Sequence, residues 1–126
     1  MSISNYLEDK LLDLVLRNTT FPAITALYGS LHTGDPGESG TGSPLAECPR
    51  IALTFNAAAS STGVNAAGAT WVCSATGTIT YMGLWDGSST ATANFLWGGA
   101  LATAKVVANV GDSVVLASGQ LSFNLD

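Results

Sequence analysis

Charge is the scarcest property of this sequence. Only 10% of its 126 residues are Asp, Glu, Lys or Arg, against roughly a quarter in ordinary soluble domains. Four of these are basic and the net charge is −5, so no basic stripe exists to neutralise phosphates, which argues against nucleic acid as a partner. No apolar run reaches the ~20 residues of a membrane-spanning helix, and Glu8 and Asp9 stand where a signal peptide has its apolar core. The expectation is a soluble protein made in a cytoplasm, with no membrane partner.

Catalytic equipment is equally sparse. There is one histidine, His32, there are two cysteines, and the acids show no repeated spacing. No GxSxG, HExxH or phosphate-binding glycine loop with its lysine occurs, so neither a nucleophile nor a base has a visible partner. The sequence therefore predicts no enzyme, no cofactor and no metal site. Asp35 and Glu38 among glycines offer a weak calcium alternative, and His32 is expected at the surface or in an interface. Cys48 and Cys73 could pair, but the lack of an export signal favours two reduced thiols.

What the chain does have is Ala, Ser, Thr, Asn and Gly, with 47% hydrophobic residues. Hydroxyl and amide surface costs far less to desolvate than charge, so such a chain suits burial against partners. A small or secreted β protein would also have this composition. The length fits one domain, residues 1–126, comprising an N-terminal helix at about 5–17 and a β domain at about 24–126.

For the helix, Asn5 is the expected cap, with Glu8 three residues on to return the bond and Arg17-Asn18 at the end. Leu7, Leu11, Leu12, Leu14, Val15 and Leu16 cover an arc of roughly 200°, wider than the stripe of a little over ~100° that one contact needs. Either the helix is sunk in its own core or it meets a second surface.

Beyond Pro22 the pattern is β: expected strands run Ile24 to Thr33, Arg50 to Asn56, Thr70 to Ala75, Thr78 to Asp86, Asn94 to Gly98, Ala104 to Ala108, Ser113 to Leu116 and Gln120 to Leu125. About eight short strands and one N-terminal helix make a mainly β fold, a jelly-roll-like or β-sandwich domain. Gly34 to Pro44 reads as a long mobile loop, and Ala57 to Ala69 as a flexible stretch able to bury little. Trp71, Tyr81, Trp85 and Trp97 could form a sugar platform, but aromatic residues in strand patterns more often fill a core or interface.

Several segments in order carry a resemblance: Asn5-Tyr6-Leu7-Glu8 with its helix, Leu27 to Gly37, Ile79 to Asp86, Phe95 to Leu101, and Val110 to Asp126. Together they are similar to small tailed-phage virion proteins, often labelled tail fiber proteins and akin to capsid cement or decoration proteins. Pro49 stands where that family tends to carry an aromatic. The resemblance implies a virion component without enzymatic activity.

Between head and tail, the absence of fibrous repeats, heptads or a long shaft tilts the reading toward the capsid. The leading expectation is a cement protein on the head exterior, bound across subunits of the major capsid protein. It would self-associate as a closed homo-oligomer, a trimer before a dimer. The alternative is a tail, baseplate or fiber component contacting the host surface, with Trp71, Trp85 or the Gly34 to Pro44 loop touching glycan. The candidate interface residues are Leu7, Leu11, Leu14, Val15, Trp85 and Trp97.

Overall fold

The computed structural model describes residues 2–125. The order of elements is β1 (Ser2–Ile3), α1 (Asn5–Arg17), β2 (Leu27–His32), β3 (Ile51–Leu53), β4 (Thr62–Val64), β5 (Ala69–Val72), β6 (Gly77–Trp85), β7 (Phe95–Val107), β8 (Ser113–Leu116) and β9 (Ser122–Asn124). A five-stranded antiparallel sheet, ordered β1-β7-β6-β2-β3, faces two smaller ribbons, β4-β9 and β5-β8. The fold is mainly β with one helix, a small sandwich as expected.

The core lies between these layers. Leu31, Leu53, Ile79, Met82, Leu84 and Val107 of the large sheet meet Trp71, Val114, Leu116 and Phe123 of the ribbons. In β6 the side chains change parity: a register irregularity between Ile79 and Tyr81 lets both Ile79 and Met82 point into this core, because an extra residue rotates the strand by one face. The indole N–H of the fully buried Trp71 donates to Gly29 O at 3.1 Å, so the ring carries no unpaired donor into the core.

Several expectations change. The strands expected at Asn94 to Gly98 and Ala104 to Ala108 are one element, β7, whose partner β6 is long enough to pair along both ends. The expected first strand shortens to Leu27–His32. The stretch from Ala57 to Ala69 is not slack: it contains β4, and Asn65 is completely buried. Its side-chain N–H groups donate to Ala67 O and Ala117 O at 2.8 and 3.0 Å, and its Oδ1 accepts from Leu121 N at 2.8 Å. Polar anchoring, not apolar area, orders this segment.

Cys48 and Cys73 form a disulfide, with Cα atoms 4.2 Å apart and both residues buried. This corrects the expectation of reduced thiols, which rested on compartment alone. The bridge ties the loop before β3 to the exit of β5.

The helix is capped one residue earlier than expected and starts at Asn5 itself. Ser4, not Asn5, accepts from Leu7 N–H at 3.2 Å, and its hydroxyl donates to Phe95 O at 2.5 Å. Ser4 wins because its own backbone N–H also donates to Leu96 O, so capping and docking onto β7 are one event. Asn18 closes the other end in the left-handed conformation at φ 53°, as its short polar side chain permits.

Candidate functional site

The outer face of the large sheet carries the polar features. Alternation along β2 and β6 places Ser30, His32, Gly83 and Trp85 on this face, opposite the core residues Leu31, Met82 and Leu84. Gly34 to Pro44 folds over it. Gly40 is buried at φ +71° and sits so close to Phe95 and Trp85 that an added Cβ would overlap the Phe95 ring and lie 2.7 Å from Trp85 Cζ2. Gly42 N donates to Pro36 O, Leu45 N to Leu31 O and Thr33 N to Ser43 O. The loop expected to be mobile is therefore pinned, because its carbonyls and glycines fit a surface formed by distant strands.

Beneath the loop runs a chain of hydrogen bonds. The Trp85 indole N–H donates to Ser30 Oγ at 2.8 Å, Ser30 Oγ lies 2.7 Å from His32 Nε2, and His32 Nδ1 lies 2.7 Å from Gly42 O. A carbonyl only accepts, so Nδ1 carries the proton and Nε2 accepts from Ser30. His32 is buried, not at a surface as expected, and both ring nitrogens are used inside the chain. Burial holds its pKa below the ordinary 6.5, with the Arg50 charge adding to the effect and the Gly42 bond opposing it.

Trp85 has one face covered by Arg50, whose guanidinium carbon stands 3.5 Å from the ring centroid, and packs against Phe95 at 5.0 Å. It is thus not an open sugar platform; the group it supports at the surface is the guanidinium. Arg50 also donates to Ser89 O at 2.9 Å. Together with Ser39, Thr41, Ser88, Thr90 and the disulfide residue Cys48, Arg50 and Trp85 line a cleft of about 690 Å³.

The remaining candidates separate. Leu7 is buried where the helix meets β7, and Leu11 is half-buried. Leu12, Leu14, Val15 and Leu16 are exposed, Val15 by 76% and Leu16 by 75%. The helix is therefore not sunk in its own core: it is held at its first turn and leaves most of its apolar arc uncovered. Trp97 is half-buried on the inner face, 5.3 Å from Phe123, in an apolar hollow of about 320 Å³ with Leu27, Phe55, Leu84 and Leu125. Trp71 is core, and Asp35 spends an oxygen on Gly37 N–H at 2.8 Å. Among the described residues no group of His, Cys, Asp or Glu gathers to hold a metal.

The residue that sequence reading passed over is Arg50. Its signal was available: it is one of only four basic residues, set beside Pro49 at the head of a strand. The profile of the Podophage GP4 fiber I protein gp80 matches residues 2–124. The chain belongs to that family. Membership of the fiber I protein family makes it a phage structural protein and supports the tail fiber side of the resemblance better than the capsid side. No curated protein matches this fiber I family member.

Proposed function

We propose that the chain is an assembly subunit of a podophage fiber, joining copies of itself and neighbouring virion proteins through α1 and presenting its β domain to the host surface. The observation that carries this reading is the uncovered helix. Val15 and Leu16 stand in water on an element tethered at its N-terminal end, and burying such a side chain fully is favourable by roughly 1.5–3 kcal/mol. A closed homo-oligomer uses this surface fully, with a trimer the first choice and a dimer next. Ser30 and His32 do pair, but both are buried and the Ser30 oxygen already accepts from the Trp85 indole N–H, which supports a structural, non-enzymatic role.

The second reading, a decoration protein across major capsid protein subunits on the head exterior, is favoured by the sandwich fold, in which the described residues form stacked sheets and no fibrous repeat. Cryo-electron microscopy of the particle separates the two. Density for this chain in the tail or its fibers supports the proposal, and density confined to the head overturns it.

A further inference from the structure

We propose that the cleft at Arg50 binds an acidic saccharide, pairing the sugar carboxylate with the Arg50 guanidinium and its ring hydroxyls with Ser39, Thr41, Ser88 and Thr90. This deepens, and rests on, the reading of the chain as a fiber component facing the host surface.

Arg50 is held in place without being neutralised. Trp85 supports it from below and Ser89 O fixes one nitrogen. Among the described residues the structure gives it no carboxylate within ion-pair distance, the recorded ion pair being Arg17 with Asp13. A guanidinium has five N–H donors in a fork that matches a carboxylate in two parallel bonds, and among the described residues the Ser89 bond takes one of them. Half-buried charge without a counter-charge is costly in isolation, and a ligand carboxylate would complete it.

The walls specify the rest. Among the described residues no acid lines the cleft, and five small hydroxyl side chains do, Ser30 already engaged by Trp85 and His32 and the other four being Ser39, Thr41, Ser88 and Thr90. Ser39 and Thr41 already bond each other at 2.7 Å, which fixes their oxygens side by side. Hydroxyls that both donate and accept suit sugar hydroxyls, which do the same. A volume of about 690 Å³ lies within the roughly 300–1,000 Å³ of small-molecule clefts, room for a short saccharide. A polyphosphate or nucleic acid is disfavoured, since one guanidinium on a chain of net charge −5 supplies neither multiple contacts nor steering.

Contacts distant along the chain hold the site. The disulfide residue Cys48 holds the approach to Arg50, and the Trp85–Ser30–His32–Gly42 chain fixes both floor and lid. A preformed cleft loses little freedom on binding.

The test titrates the full-length chain with tri-galacturonic acid, the same trisaccharide methyl-esterified, and inorganic phosphate, followed by calorimetry and by amide shifts in NMR. The acid is expected to bind at least about tenfold more tightly than the ester, as one charge-assisted bidentate pair implies. Arg50→Gln should bring the acid to the level of the ester. Because Arg50 also packs on Trp85, Ala46→Asp provides a second variant, at an exposed position that lines the cleft and makes none of the proposed sugar contacts: it should weaken the acid about tenfold and the ester far less. Equal binding of acid and ester, no binding of either, or phosphate as strong as the trisaccharide would overturn the proposal. Particle location is a separate readout: acid binding with head-only density leaves the cleft standing and removes the fiber reading, and tail density without binding does the reverse.

Discussion

The guanidinium of Arg50 covers the indole of Trp85 at 3.5 Å from its centroid. Arg50 enters the edge strand β3 and Trp85 ends β6, with β2 between them. The contact thus crosses the sheet and joins the cation that lines the cleft to the hydrogen-bond chain that ends at Gly42.

Substituting Val15→Asp or Leu16→Lys should leave the melting temperature of the isolated chain nearly unchanged, within about 0.5 kcal/mol, because neither side chain is buried. The same variants should reduce the oligomer in light scattering. Leu7→Ala, by contrast, removes a buried side chain and should cost about 2–4 kcal/mol in the monomer. If Val15→Asp lowers stability without altering particle size, α1 is not an assembly surface.

Reducing the Cys48–Cys73 bridge, or replacing Cys73→Ala, opens a loop of sequence separation 25. The chain-entropy relation gives a loss of about 3.5 kcal/mol. Denaturant unfolding with and without reductant measures it. A midpoint indifferent to reductant would show that the bridge does not constrain the unfolded chain.

His32 sets a pH dependence. Its folded pKa lies below the ordinary 6.5, so below that pH the unfolded chain takes up a proton that the folded chain refuses. Stability is complete above the unfolded value and declines as pH falls from about 6.5 toward the lowered folded pKa, where the loss levels off. Calorimetry from pH 7.5 downward should show this decline, and NMR titration should find the imidazole still neutral below its ordinary value. A His32 that protonates at or above that value contradicts the burial argument.

Asn65→Ala should be among the most damaging single changes outside the apolar core. It removes the acceptor of the buried Leu121 N–H and the donors to Ala67 O and Ala117 O, of which Ala117 O keeps its bond from Gln120 N–H. Each orphaned group costs about 1–3 kcal/mol, less where water enters the space. Thermal melting checks it, and a shift of less than about 0.5 kcal/mol would mean that Asn65 does not anchor the segment.

By itself the sequence determined the elements whose cause is local. The helix over Asn5–Arg17 is written in a 3.6-residue apolar period ending at Asn18, and β8 falls at Ser113–Leu116 as its alternation predicts. Poverty of charge was likewise legible before any fold, as was the family likeness that the match over residues 2–124 upholds for the fiber. Periodicity states which face of an element is apolar, but not what will cover it, so a helix with Val15 uncovered and one sunk in a core read alike. Ser4 took the cap from Asn5 because β7 offered Phe95 O and Leu96 O, and Cys48 found Cys73 through the loop between β2 and β3. Only the tertiary structure decided these, together with the buried Asn65, the pinned Gly34 to Pro44 loop and Arg50 on Trp85. Each depends on a polar or aromatic partner that is distant along the chain, and a buried polar group is tolerable only once that partner has been brought within hydrogen-bonding reach.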